Sequence, residues 1–110
     1  MALKLWKKLE VDLQAKFKFN PQAIQQLKDS MEWYEEQKAD LGREFSEEIF
    51  SKIEQISNRP ESYSIVFDDV RRASLSRFPF FIYYAFRDAI VFILSVWHKK
   101  RETHPKVEKG

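Results

Sequence analysis

Residues 78–97 read FPFFIYYAFRDAIVFILSVW. Two runs of aromatic and β-branched residues flank the polar pair Arg87-Asp88, the composition of two strands joined by a tight turn. The second run, Ala89–Trp97, is apolar at nearly every position. Such a run is expected of a central strand covered on both faces. The first run, Phe78–Phe86, carries Pro79 at its start, where a missing backbone donor does least harm to a ladder.

Working outward, Val70–Leu75 and Tyr63–Phe67 read as further strands joined at Asp68-Asp69. Before them the period changes from two to 3.6. Asn20-Pro21 opens a helix, with Asn as N-cap and Pro at the first helical position. Ile24, Leu27, Met31 and Tyr34 follow at helical spacing, and the helix is expected to end near Lys38–Asp40. Leu41-Gly42 is read as a turn in which Gly42 supplies backbone freedom. A second helix carries Phe45, Ile49, Ile53 and Ile56 on one stripe and stops at Asn58 and Pro60. So short a connection predicts an antiparallel helical hairpin. Ala15–Phe19 alternates as a strand ahead of it. The expected fold is α+β: an antiparallel twisted sheet with the helical hairpin packed on one face.

Length and charge set further bounds. A chain of 110 residues holds one small domain. Ten of the seventeen aromatic residues follow position 61, so the second half should supply most of the core. There is no cysteine, which excludes disulfides and thiolate metal sites. Two histidines, His98 and His104, make a structural zinc site a poor expectation. Nothing in the sequence calls for a cofactor. The net charge of +2 divides as +3 over residues 1–19, −5 over 20–61 and +4 over 62–110. A basic C-terminal half points to an anionic partner, either nucleic acid or an acidic protein. Lys and Arg that merely solubilise an apolar sheet would look the same.

Residues 1–14 read as a short amphipathic helix. Trp6, Leu9 and Leu13 lie on one side, with Lys4, Lys7 and Lys8 opposite. Threaded by lysines, the segment is not a signal peptide, and no run reaches the roughly 20 apolar residues of a membrane span. The expectation is a cytoplasmic protein without membrane contact. Its parts are an extension (1–14) dispensable for folding, a domain (15–101) and a polar, mobile tail (102–110).

Three segments carry a family resemblance. MEWYEEQKADLGREFSEEIFSKIEQISNRPESY (31–63) resembles a helical hairpin in which a W-Y pair precedes L-G and the second helix closes with N-x-P. VRRASLSRFPFFIYY (70–84) is similar to a basic strand, then F-P, then an aromatic strand ending in Tyr. AIVFILSVWHKKR (89–101) resembles a last strand ending in His and basic residues. In this order they resemble the RelE/ParE superfamily of type II toxin–antitoxin toxins, in its ParE-like branch. The extension at 1–14 departs from that pattern.

The resemblance implies a cognate acidic antitoxin encoded by an adjacent gene, a role in plasmid stabilisation or stress, and one of two targets. ParE-type members poison DNA gyrase; RelE-type members cleave mRNA in the ribosomal A site. The ribonuclease needs cations at the scissile phosphate and a proton donor for the leaving oxygen. Its strand pattern R-L-V-Y aligns with Phe81-Ile82-Tyr83-Tyr84, so Phe81 stands where the Arg would be. A phenyl ring cannot replace a bidentate guanidinium, which favours the gyrase inhibitor. The candidate target-binding residues are Arg71, Arg72, Arg77, Tyr83, His98, Lys99, Lys100 and Arg101. For a ribonuclease the catalytic set would be Arg71, Arg77, His98 and Lys100. Trp33, off the apolar stripe of its helix, is with Arg77 the candidate antitoxin contact. The acidic series Glu35, Glu36, Asp40, Glu44, Glu47 and Glu48 reads as a solvated helical face. A third reading, a binding module without toxicity, gains if Arg71, Arg77 and Lys100 fail to converge on one exposed patch.

Overall fold

In the computed structural model, residues 17–101 are described. Their elements run β1 (Phe17–Phe19), α1 (Pro21–Gln37), α2 (Leu41–Asn58), β2 (Ile65–Phe67), β3 (Val70–Ser74), β4 (Phe80–Arg87) and β5 (Ile90–His98). The expected extension and tail, and the start of the first strand at Ala15, lie outside the described residues.

The N-cap of α1 is formed as its sequence predicts: Asn20 Oδ1 accepts the Gln22 N–H at 3.1 Å, with Pro21 following. The turn between the helices is built differently from expectation. Gly42 lies inside α2, and the residue with positive φ is Asp40, at 71°. Gly42 is required for space, because a Cβ there would collide with the Met31 carbonyl oxygen and meet the Glu35 side chain at 3.1 Å. Helix α2 has no side-chain cap of its own from Asp40. Instead Glu35, reaching over from α1, accepts the N–H groups of Asp40 at 2.9 Å and Gly42 at 3.1 Å. That satisfies donors a helix start leaves orphaned.

The strands order as β1-β5-β4-β3-β2. The sheet is antiparallel except at one edge, where β1 runs parallel to β5 with Phe17 opposite Val91 and Phe19 opposite Ile93. The expected antiparallel sheet is present, and this one edge differs in direction. Tight hairpins force antiparallel neighbours, whereas β1 reaches β5 only after the whole domain has been traversed, so its direction is unconstrained. The β4–β5 turn is Asp88-Ala89, one residue beyond the expected pair, since Arg87 still pairs with Ile90. Both turn residues have positive φ, 51° and 62°, the requirement of a two-residue hairpin that follows strand twist.

Strand alternation divides the apolar residues into two clusters. Phe45, Ile49, Ile53 and Ile56 of α2, with Ala23 and Leu27 of α1, pack on Phe17, Ala73, Phe80, Ile82, Tyr84, Val91, Ile93 and Val96. Each fully buried large side chain there contributes roughly 1.5–3 kcal/mol. The second cluster lies on the opposite face: Val70, Tyr83, Ala85 and Leu94, flanked by Val66, Phe67, Phe81, Phe92 and Trp97. Beyond Ile93 the outer edge of β5 has no strand partner among the described residues. Helix α1 covers it instead: Gln26 Oε1 accepts the Val96 N–H and the Ser95 hydroxyl, both at 2.8 Å. This cover blunts an edge that would otherwise invite another strand.

Candidate functional site

The start of β4 and the end of β5 meet with Phe80 opposite His98 and Phe81 opposite Trp97. Because side chains alternate, the two pairs face different sides. On the hairpin side, His98 sits edge-on to Phe80, with centroids 5.0 Å apart. An open groove runs between α1 and the end of β5, lined by Gln26, Ser30, Trp33, His98, Lys100 and Arg101 among others. Trp33 is 56 % exposed and rests edge-on against Tyr34 at 5.1 Å.

His98 Nδ1 accepts the Lys100 N–H at 3.0 Å. In the neutral ring the proton therefore sits on Nε2. Partial burial, then the charges of Lys100 and Arg101, push the imidazole pKa below its ordinary value. Both causes oppose a positive ring, so His98 is neutral at pH 7 and offers Nε2–H to the groove.

On the other side of the sheet, cations lie over rings. The Arg72 guanidinium is 4.2 Å from the Phe81 centroid, and Lys99 Nζ is 5.1 Å from it. Arg101 lies 4.4 Å from the Trp97 ring. Lys99, Lys100 and Arg101 are exposed. Phe81 thus lacks a guanidinium of its own but gathers two cations, Arg72 from β3 and Lys99 from the turn after β5.

The remaining sequence candidates lie elsewhere. Arg71 points to the hairpin side and donates to the carbonyls of Glu61 at 3.1 Å and Tyr63 at 2.6 Å. With the Tyr84 hydroxyl, which donates to the Pro60 carbonyl at 2.6 Å, it fastens the connection leading to β2. Burial pushes the Tyr84 phenol up to about 12. Arg77, in the β3–β4 loop, pairs with Glu44 at 2.5 Å and lies over Phe78, and it holds the Glu44 carboxyl below the usual range. Tyr83 is 1 % exposed, so its side chain does not present itself at the surface. Arg71, Arg77 and Lys100 do not converge; the cations that do are Arg72, Lys99 and Arg101, with Lys100 at the groove.

The acidic series is not simply a solvated face. Glu35 caps α2. Glu48 accepts the consecutive N–H groups of Ser76, Arg77 and Phe78 at 3.0–3.2 Å, which shapes the loop before β4. The available signal was spacing: Glu44 and Glu48 are four residues apart and flank Phe45 and Ile49 of the buried stripe. Among the described residues no group of three His, Cys, Asp or Glu could hold a metal ion, and no helix is long and apolar enough to cross a membrane.

A helical hairpin on one face of a five-stranded sheet, with a basic, aromatic end, defines a small α+β domain. The same fold occurs in a solved structure described as a chromosomal ParDE toxin–antitoxin system from P. aeruginosa. It superposes with a TM-score of 0.68 at 15 % identity, covering 76 % of this chain and 94 % of that one. Residues 17–103 match the family described as ParE toxin of type II toxin-antitoxin system, parDE, and the chain belongs to that family. No curated protein matches.

Proposed function

We propose that this toxin poisons DNA gyrase in the cytoplasm and is neutralised by a cognate acidic antitoxin laid in the α1–β5 groove. The engagement of Arg71 and Arg77 within the fold carries the choice of target. A neutral imidazole, held there by burial and two neighbouring cations, is a poor proton donor for a leaving oxygen. Arg71 and Arg77, the other members of a ribonuclease set, are engaged by carbonyls and by Glu44. What supports the antitoxin site is the exposed Trp33 beside Lys100 and Arg101. An amphipathic helix with an apolar anchor and acidic flanks is complementary to such a groove.

Purified protein should inhibit supercoiling or trap cleaved DNA with gyrase, and leave mRNA on programmed ribosomes intact. Co-expression with the adjacent gene product should give a complex stable to gel filtration; separate elution at micromolar concentration would remove the antitoxin reading. One observation favours the ribonuclease: Arg72 and Lys99 together bring positive charge to the Phe81 position. Cleavage of A-site codons with gyrase unaffected would establish it. The scattering of Arg71, Arg77 and Lys100 favours a binding module without toxicity, and inactivity in both assays would select that reading.

A further inference from the structure

Along the outer edge of β5 the hydrogen-bond partners change and then stop. Strand β1 runs parallel to the stretch from Val91 to Ile93, and the Asn20 N–H closes it on the Ile93 carbonyl at 2.9 Å. Gln26 of α1 then takes the Val96 N–H. Beyond that bond the cover ends. Val96 pairs with Ile82 and His98 with Phe80. The Lys99 N–H donates to the Pro79 carbonyl at 2.8 Å, and bonded pairs alternate with non-bonded ones in an antiparallel ladder. Val96 and His98 therefore turn their backbone groups away from β4, toward the α1 groove. The His98 carbonyl accepts the Arg101 N–H at 3.1 Å. What remains is the Val96 carbonyl and the His98 N–H, an acceptor and a donor flanking Trp97, unbonded among the described residues.

A parallel neighbour uses such a set: one residue gives its N–H to the first carbonyl and accepts the N–H two positions on. We propose that the end of β5 is a strand-addition site for an extended segment of an acidic partner. The segment lies parallel to β5, in line with β1, with one residue opposite Trp97. This rests on the antitoxin reading of the groove and specifies one part of it: the partner's helix beside Trp33 gives way to extended chain where it passes His98. A helix uses its backbone groups internally and would cover this acceptor and donor without bonding them. Strand addition satisfies both.

Side-chain alternation sets the chemistry of the segment. The residue opposite Trp97 shares its side of the sheet, where the exposed Arg101 lies 4.4 Å from the Trp97 ring. An Asp or Glu at that position meets a cation. Its two neighbours point to the hairpin side, as Val96 and His98 do, into the groove that Tyr34, Phe80 and Val96 line. Apolar side chains suit them. The groove's one carboxylate, Asp29, sits on the α1 wall and accepts from Gln25 Nε2 at 2.8 Å. The charges at the strand end, Lys100 and Arg101, are both positive, which selects an acidic segment over a basic one. The expected pattern is apolar, acidic, apolar.

The probe is the blocked peptide acetyl-Ser-Leu-Glu-Leu-Ser-amide, titrated into the isotope-labelled full chain. It should shift the Trp97 and His98 amides and the Val96 carbonyl in NMR spectra. The same peptide N-methylated at Glu, which lacks the N–H for Val96, should bind at least about tenfold more weakly. So should the peptide with Lys in place of Glu. His98→Pro removes the outward N–H at a position where an edge strand tolerates proline, and should cost at least about tenfold in peptide affinity, against about threefold or less for His98→Ala. Equal binding of the N-methylated peptide, saturation of another surface, or no shift at millimolar peptide would overturn the proposal. In the complex with the adjacent gene's product, the His98 amide should exchange with deuterium at least about tenfold more slowly than in the free chain. A complex that leaves this amide in fast exchange refutes the strand-addition site and spares the antitoxin reading. Peptide binding without any such complex removes the antitoxin reading and supports the site.

Discussion

Arg72 on β3 and Phe81 on β4 are joined face to cation, the guanidinium carbon 4.2 Å from the ring centroid. Lys99 approaches the same ring. Arg72 and Phe81 are half-buried and Lys99 is exposed; such contacts are worth about 0.5–2 kcal/mol each, too little for the fold to depend on one of them. The patch is therefore suited to contacting an anionic surface.

Replacing Arg72 and Lys99 together by Ala should weaken gyrase poisoning at least about tenfold, the effect of losing some 1.4 kcal/mol of binding. The melting temperature should drop by no more than about 8 °C. The triple replacement of Lys99, Lys100 and Arg101 should act in the same direction with unchanged far-UV circular dichroism. Undiminished potency in supercoiling assays would move the target surface elsewhere.

Glu48 accepts three consecutive backbone N–H groups from a loop 28–30 residues further along the chain. Hydrogen bonds to a charged acceptor contribute more than neutral ones. Glu48→Ala should cost about 1.5–3 kcal/mol in urea unfolding, with Glu48→Gln milder. An unchanged midpoint would show that the loop holds its shape without the carboxylate.

Gly42→Ala should be destabilising although Ala is the better helix former. The added methyl meets the Met31 carbonyl, a backbone atom that cannot swing aside. A loss of about 1–3 kcal/mol is expected from such overpacking. In contrast, Ala89→Gly should stabilise by about 1 kcal/mol, since Ala89 holds φ at 62° where a Cβ is penalised. Both follow from chemical denaturation of the purified variants.

The His98 imidazole should titrate below the free value of about 6.5, because burial and then Lys100 and Arg101 oppose its charge. A pKa depressed by folding means that the unfolded chain binds the proton more readily. The stability tied to His98 is thus complete above pH 6.5 and is lost as pH falls through the folded-state value. Side-chain NMR titration gives that value directly. Stability of His98→Gln should depend less on pH across the same window; a midpoint at or above 6.5 would contradict the described environment.

Much of the architecture was open to reading along the chain because it rests on local physics. Asn20-Pro21 starts a helix wherever it stands, and the Phe45, Ile49, Ile53, Ile56 stripe has helical period. The run from Ile90 to Trp97 can only be a covered strand. The ordered motifs also carried the family, and Trp33 was found exposed because it leaves the apolar stripe. Each of these depends on neighbours within a few residues.

What depends on distant neighbours was hidden. Gly42 was read as a source of backbone freedom, but its need is for space beside Met31, set by how closely the helices cross. Glu35 and Glu48 looked like two of six solvated acids until packing brought them against unpaired N–H groups. Arg71 and Arg72 are adjacent and chemically alike, yet pleating sends one to the Glu61 and Tyr63 carbonyls and the other to Phe81. Sequence fixes that they differ in face; which face meets the helices is settled by the sheet's packing. The parallel direction of β1 has the same origin, since no hairpin constrains a strand that closes the sheet from the far end of the domain.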